Sequence, residues 1–328
     1  MLSQEQAQSL LRMIQLDGPV RVTFIRAYNH VYQLDCQDQT LFLKIHTKDW
    51  YPPEDAETGY SVAHEASAWS TLASYGLASP EVVLACQNQE NPLGRSFLLT
   101  RRVPGTNLTT LLDQGQDIKE MLSAVGDYLR RMHSIPFAYA GYLLGEGPTA
   151  PPDPESWQHP IWTVEQLQKQ TNAWVEAKLQ GCSAQLLQQI ERQVQQIPEI
   201  LTSAYVPPHF THGDCGPDQM FMIRQNGHWQ VSALLDMEVA SAGDTGADLV
   251  SFCTRLAQRF PATSSWWLPF FEGYGSIPDF EGFRLRLLSG WYPYEPSIWP
   301  GTGEVAFWHL LRANNWETLF SHAHLALS

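Results

Sequence analysis

No apolar run in the 328-residue chain approaches the roughly 20 residues needed to cross a bilayer, which argues against a membrane-spanning helix. The first residues, Met1-Leu2-Ser3-Gln4-Glu5-Gln6, lack the basic start and apolar stretch of a secretory signal. Cysteine is sparse: Cys36, Cys86, Cys182, Cys215 and Cys253 are scattered and odd in number, with no C-x-x-C pair. A disulfide framework and a zinc knuckle are therefore not expected, and a reducing cytoplasmic setting fits best. Charge is also scarce, at 16% of residues, and basic charge scarcest, with 20 Lys and Arg against 34 Asp and Glu. The resulting net charge of -14 repels nucleic acid and anionic membrane surfaces and favours cationic small molecules. Apolar residues, at 44%, are plentiful enough for a large core, and the length suits two lobes around a cleft.

Ser3 and Gln6 form the pattern of a capping box opening a short helix that Asp17-Gly18-Pro19 stops. Strand-like runs follow at Val20 to Ile25, Val31 to Cys36 and Thr40 to His46. In the third run Leu41, Leu43 and Ile45 share one face, so Lys44 belongs to the other. Residues 48–60 read as a loop. Ala63 to Tyr75 reads as an amphipathic helix with Glu65 in its first turn, and two more strands are expected at Glu81 to Cys86 and Ser96 to Thr100. Val103-Pro104-Gly105 ends this strand-rich part.

From about Thr106 the period becomes helical. Ile118, Met121, Leu122, Val125, Leu129 and Met132 make one apolar stripe. Residues 141–160 read as a loop, and a helical pair is expected on either side of Gly181-Cys182-Ser183.

The densest polar chemistry lies in His212-Gly213-Asp214-Cys215-Gly216-Pro217-Asp218-Gln219, a kinked loop before a strand from Gln219 to Ile223. Gln225-Asn226-Gly227 predicts a hairpin to Trp229 to Leu235, ending at Asp236. The hairpin brings Asp214, Gln219 and Asp236 near one another, and their hard oxygens suit Mg²⁺ bound to phosphates.

These motifs resemble the aminoglycoside phosphotransferase and choline kinase family, whose fold is similar to that of protein kinases. His212-Gly213-Asp214, with Gln219 five residues beyond the aspartate, is similar to its catalytic loop. Asp236-Met237-Glu238, Gly243-Asp244 and Asp248-Leu249 are similar to its metal motif. Asn29-His30-Val31-Tyr32, Lys44, Glu65, Phe97 to Thr100 with Val103-Pro104-Gly105, and Leu129 to His133 follow the remaining pattern in order. The resemblance implies an α+β, bilobal protein-kinase-like fold, with a small antiparallel-sheet lobe over residues 1–103 and a larger, mainly helical lobe over 104–328. It implies that Asp214 orients or deprotonates an acceptor hydroxyl and that Asp236 and Gln219 hold Mg²⁺. Asn29, Lys44 and Glu65 would serve the phosphates of ATP or GTP, and the backbone of Thr100, Arg101 and Arg102 the base.

The sequence departs from the pattern at Gln219, where the family has Asn, at Met237, where it has an aromatic, and at Arg26-Ala27-Tyr28, which lacks the loop glycine. Beside the sharp readings stand plainer ones. His212 is expected to be structural, Glu238 and Asp244 to brace the loop, Asp248 to hold it from a buried position, and Asp218 to stand in should Gln219 fall short. Most aromatics from Trp266 to Trp316 are expected to pack the core, with residues 291–299 the best candidate for a pocket wall. The expected function is transfer of a γ-phosphate to a hydroxyl of an amino sugar, amino alcohol or related metabolite. The rivals are a nucleotide-binding module without transfer activity and a metal-dependent hydrolase.

Overall fold

The computed structural model describes residues 2–26, 29–46, 62–87, 90–115, 117–138, 141–143, 183–203, 208–257, 259–260, 265–289 and 311–320. The expected loop at 48–60, residues 144–160 of the loop expected at 141–160, the first helix of the pair ending at Gly181, and the candidate wall at 291–299 lie outside them; Gly141–Tyr142, at the start of that expected loop, form a short strand instead.

Helix α1, Gln4–Met13, starts on the expected capping box: Gln6 N donates to the Ser3 hydroxyl at 3.1 Å, and Ser3 N donates to Gln6 Oε1 at 3.0 Å. Strands β1 (Val20–Arg26), β2 (His30–Cys36), β3 (Gln39–Ile45), β4 (Val82–Cys86) and β5 (Phe97–Arg101) form one antiparallel sheet in the order β1-β2-β3-β5-β4. Period-two alternation divides β3 as expected. Leu41 and Leu43 join Leu34, Phe97 and Leu99 in a core closed by Ala7, Leu10 and Leu11 of α1. Phe42 and Lys44 fall on the other face, beside Leu98 and Thr100 of β5. Helix α2, Val62–Ser74, buries Val62, Ala68, Trp69 and Leu72 in the second, larger core, which also takes in Leu98 of β5.

After Val103-Pro104, strand β6 (Thr106–Asn107) leads into α3 (Leu108–Asp113) and α4 (Ile118–Met132). The α4 stripe is buried as its period requires: Met121, Leu122, Val125, Leu129 and Met132 are all inside. Strand β7 (Gly141–Tyr142) and the helix Ala184–Ser203 precede β8 (His209–Thr211), β9 (Met220–Gln225) and β10 (His228–Leu234). Strand β11 (Ser241–Gly243) and the helices Thr245–Ala257, Trp267–Tyr274, Phe280–Ser289 and Trp316–Phe320 complete the described elements. The β9–β10 hairpin turns on Asn226 and Gly227, both at positive φ (52° and 86°), as an Asn-Gly pair favours. Two small sheets result, ordered β10-β9-β6 and β7-β11-β8.

The described aromatics near the C-terminus do pack the core. The Trp316 ring contacts Trp267, Phe271, Phe280, Phe283 and Phe320. The two buried clusters do not divide at residue 103, because α2 and Leu98 of β5 belong to the larger one.

Helix α4 and the helix Trp267–Tyr274 cross at a pair of glycines. A methyl on Gly126 would strike the Phe270 carbonyl and lie 2.6 Å from Tyr274 N, and one on Gly273 would strike Ser123. Gly126→Ala is expected to cost roughly 1–3 kcal/mol of stability by overpacking. A denaturation midpoint equal to that of the unsubstituted protein would contradict this close crossing.

Candidate active site

A cavity of about 460 Å³ opens between the sheet and the β9–β10 region. Lys44, Glu65, Thr100, Arg101, Arg102, Gln219 and Asp236 line it, together with Ile25, Arg26, Val31, Leu98, Trp69, Phe221 and Leu235. Residues expected from widely separated motifs therefore share one cleft, with an apolar wall between the Thr100–Arg102 segment and the Lys44–Asp236 end. Asn29 does not line it. It is buried and donates from Nδ2 to Glu238 Oε2 at 2.8 Å.

Lys44 is the centre of this end. Its Nζ lies 2.9 Å from Glu65 Oε2, 2.8 Å from Asp236 Oδ1 and 2.9 Å from Glu238 Oε2, so three chain segments meet on one ammonium. Burial alone would drive the lysine toward neutrality, but the three carboxylates outweigh it and hold its pKa well above the ordinary value. Glu65 shows the reverse balance: burial opposes its charge, and Lys44 keeps it ionised below the usual range. Asp236 is likewise held well down against its burial by Lys44 and, further out, Arg26, whose Nη2 is 3.3 Å from Asp236 Oδ2. Two cations against three carboxylates leave the cluster with one surplus negative charge.

Asp236 adopts left-handed backbone angles, φ 64° and ψ 53°. This conformation is strained for a residue with a side chain, and surrounding structure must hold it. Trp69 contributes by donating from Nε1 to the Leu234 carbonyl at 3.0 Å.

Asp214 stands in the loop after β8. Gly213 has φ 83°, and a Cβ there would sit 2.5 Å from the Val239 carbonyl, so the middle residue of His212-Gly213-Asp214 must be glycine. Asp248 anchors the loop from within, accepting from His212 N at 2.6 Å and Gly213 N at 2.8 Å, and lying 3.2 Å from His133 Nε2. The plainer readings of His212 and Asp248 are the ones the contacts support. His212 is fully buried, with Nε2 2.8 Å from the Leu235 carbonyl while Asp214 N donates to Nδ1 at 3.2 Å. That pattern assigns the neutral tautomer protonated on Nε2.

The Asp214 carboxylate meets two donors. Gln219 Nε2 donates to Oδ2 at 3.2 Å, and Arg255, from the helix Thr245–Ala257, pairs closely with Oδ1. Arg255 also reaches Asp218 Oδ1 at 3.6 Å. Asp244 pairs with Arg286, in keeping with a bracing role. Nothing in local periodicity singles out Arg255 or Arg26. The one available signal for Arg26 is its place at the end of β1, next to a sequence that lacks the glycine.

The oxygens present fit a divalent cation. Gln219 Oε1 is buried with no hydrogen-bond partner, although its residue lines the cavity; a buried orphan acceptor costs roughly 1–3 kcal/mol. Asp236 supplies an ionised carboxylate in the same cavity. Mg²⁺ commonly takes one or two such protein oxygens and completes its shell with phosphate and water. Among the described residues no group of three histidine, cysteine or carboxylate side chains forms a metal site of its own, and no helix is long and apolar enough to cross a membrane.

A sheet lysine paired to a helix glutamate meets an ionised aspartate in one cleft, and Asp214, which does not itself line the cavity, is joined to it through Gln219; the arrangement is that of a protein-kinase-like phosphotransferase. Residues 22–287 match the model of the phosphotransferase enzyme family APH, and the chain belongs to that family, whose reaction uses an alcohol group as acceptor. No curated protein matches the sequence. Among solved structures, the chain is similar to APH(2")-IIa in its ternary complex with streptomycin and ATP, at 13% identity and TM-score 0.58 over 97% of this chain and 99% of that one. It is also similar to APH(2")-IIia in complex with GDP and kanamycin, at 12% identity and TM-score 0.60 over 90% and 92%. A candidate fructosamine-3-kinase from Haemophilus somnus 129PT aligns at 16% identity and TM-score 0.54 over 96% and 94%. At these identities the likeness establishes the bilobal kinase-like fold.

Asp248→Asn would leave the buried His133 and the two loop amides short of an anionic acceptor, at a cost of about 3 kcal/mol or more. Burial raises the Asp248 pKa and His133 lowers it; the net shift is downward. Its stabilisation is therefore complete above the unfolded carboxylate value of about 3.9 and is lost as pH falls through the lower folded value. Acid denaturation should show a shallower pH dependence in the variant, and an unchanged slope would contradict the anchor role.

Proposed function

We propose that the protein transfers the γ-phosphate of ATP or GTP to a hydroxyl of a small molecule, with Asp214 as the residue that orients and deprotonates the acceptor. The observation that carries this reading is the single cleft in which Lys44, Glu65 and Asp236 converge while Gln219, lining the same cleft, touches Asp214. Lys44, ordered by Glu65, would neutralise phosphate charge, and the Thr100–Arg102 segment, which lines the other end, would take the base, the amides of Arg101 and Arg102 being engaged by the Glu81 and Thr40 carbonyls. Asp236 and Gln219 would hold Mg²⁺, which when bound supplies charge neutralisation at the phosphates. The cluster's surplus negative charge supports a need for metal, because a bare triphosphate entering it is repelled.

Phosphoryl transfer depends on positioning and electrostatics more than on covalent help from the protein. As the acceptor oxygen bonds to phosphorus, the bridging bond to the leaving diphosphate breaks and the hydroxyl proton passes to Asp214. Arg255 and Gln219 fix that carboxylate's direction through its two oxygens. An amine-bearing acceptor is favoured by the net charge of -14 and by the aminoglycosides bound to two similarly folded enzymes. The Arg255 pair supports a second reading, a binding module whose aspartate is permanently engaged. The hydrolase reading has no task for the Lys44–Glu65 pair.

Asp214→Asn should lower phosphate transfer by roughly 10²–10⁴-fold while nucleotide affinity stays close to that of the unsubstituted protein. Asp236→Ala should remove the metal-dependent part of nucleotide binding. Transfer measured with ATP and GTP across a panel of hydroxyl compounds separates the readings. A fully active Asp214→Asn enzyme contradicts the assigned role, and metal-dependent binding without any transfer supports the module.

A further inference from the structure

Four cationic side chains line the cavity: Arg26, Lys44, Arg101 and Arg102. Lys44 is saturated by three carboxylates, and Arg101 is held at the other end by Glu81 at 2.8 Å and Gln39 at 2.6 Å. Arg102 adjoins it there. Arg26 alone combines a place at the Asp236 end with a loose hold, a single 3.3 Å ion pair, and a side chain that is 49% exposed.

Its placement is built into the strand. The β1–β2 register slips between Phe24 and Arg26, leaving Ile25 as an unpaired bulge residue. Regular alternation would send consecutive residues to opposite faces, whereas a bulge re-aims them. Ile25 and Arg26, neighbours in sequence, both line the cavity. The sequence that follows, Ala27-Tyr28-Asn29, contains no glycine. Asn29 is directed to Glu238. A guanidinium, with its planar fork of donors, is well matched to phosphate oxygens and reaches them without close backbone approach.

We propose that Arg26 is a phosphate-binding residue: when a metal–nucleotide complex enters, its guanidinium leaves Asp236 and binds the terminal phosphates. This rests on the nucleotide reading of the cavity. The exchange conserves ion pairing, since Asp236 passes from Arg26 to the cation while Arg26 passes to the anion.

The test is calorimetric binding of MgATP and MgGTP to the unsubstituted protein, Arg26→Ala and Arg26→Lys, with adenosine and guanosine measured by displacement and folding checked by melting. Loss of one charge-assisted phosphate contact should weaken triphosphate binding by roughly tenfold or more in Arg26→Ala, with Arg26→Lys in between and nucleoside binding unchanged. Triphosphate affinity within about twofold of the unsubstituted protein, or tighter, overturns the proposal. So does an equal loss for the nucleosides, which would mark Arg26 as structural. If the unsubstituted protein binds neither triphosphate, the nucleotide reading itself fails, a result distinct from an indifferent Arg26.

Discussion

The ammonium of Lys44, enclosed by Glu65, Asp236 and Glu238, is the interaction on which the site depends. It ties the sheet to helix α2 and to the turn after β10, where Asp236 lies 192 residues along the chain from Lys44. Each carboxylate is costly to bury alone, and the lysine is costly to bury alone; together they remain ionised in a place water barely reaches. Removing any member leaves unpaired charge inside, so the cluster specifies how the cleft is assembled as well as what it attracts.

The same cluster explains why strain is tolerated next to it. Asp236 sits in a left-handed conformation because Lys44 and Arg26 hold its carboxylate and Trp69 holds the adjoining backbone. In the loop that carries Asp214, Asp248 is the anchor. It fixes a tight loop through His212 and Gly213 and leaves the outward carboxylate to Arg255 and Gln219. The acidic excess of the sequence is thus partly internal: several carboxylates have specific partners, and only the rest shapes the surface field.

Much of this arrangement was legible in the residues because local rules govern it. Alternation placed Lys44 opposite Leu41 and Leu43, the Asn-Gly pair set the β9–β10 turn, and the α4 period predicted its buried stripe. The hairpin expected between Gln219 and Asp236 brings both to one cleft, with Asp214 joined to it through Gln219. What escaped were contacts set by tertiary approach. Arg255 reaches Asp214 across 41 residues, Arg26 reaches Asp236 across 210, and Gly126 meets the helix containing Gly273 at a crossing no local period reveals. Asn29, expected at the phosphates, is drawn to Glu238, a partner the loop sequence does not disclose.

On the proposed function, the carboxylate-rich end of the cleft receives a nucleotide only together with a divalent cation. Calorimetric titration of the unsubstituted protein with ATP and with GTP, each in Mg²⁺ and in excess chelator, tests it most directly. Saturable binding in Mg²⁺ that is largely lost in chelator is the predicted result. Equal affinity in chelator, or no binding of either nucleotide in Mg²⁺, would contradict it.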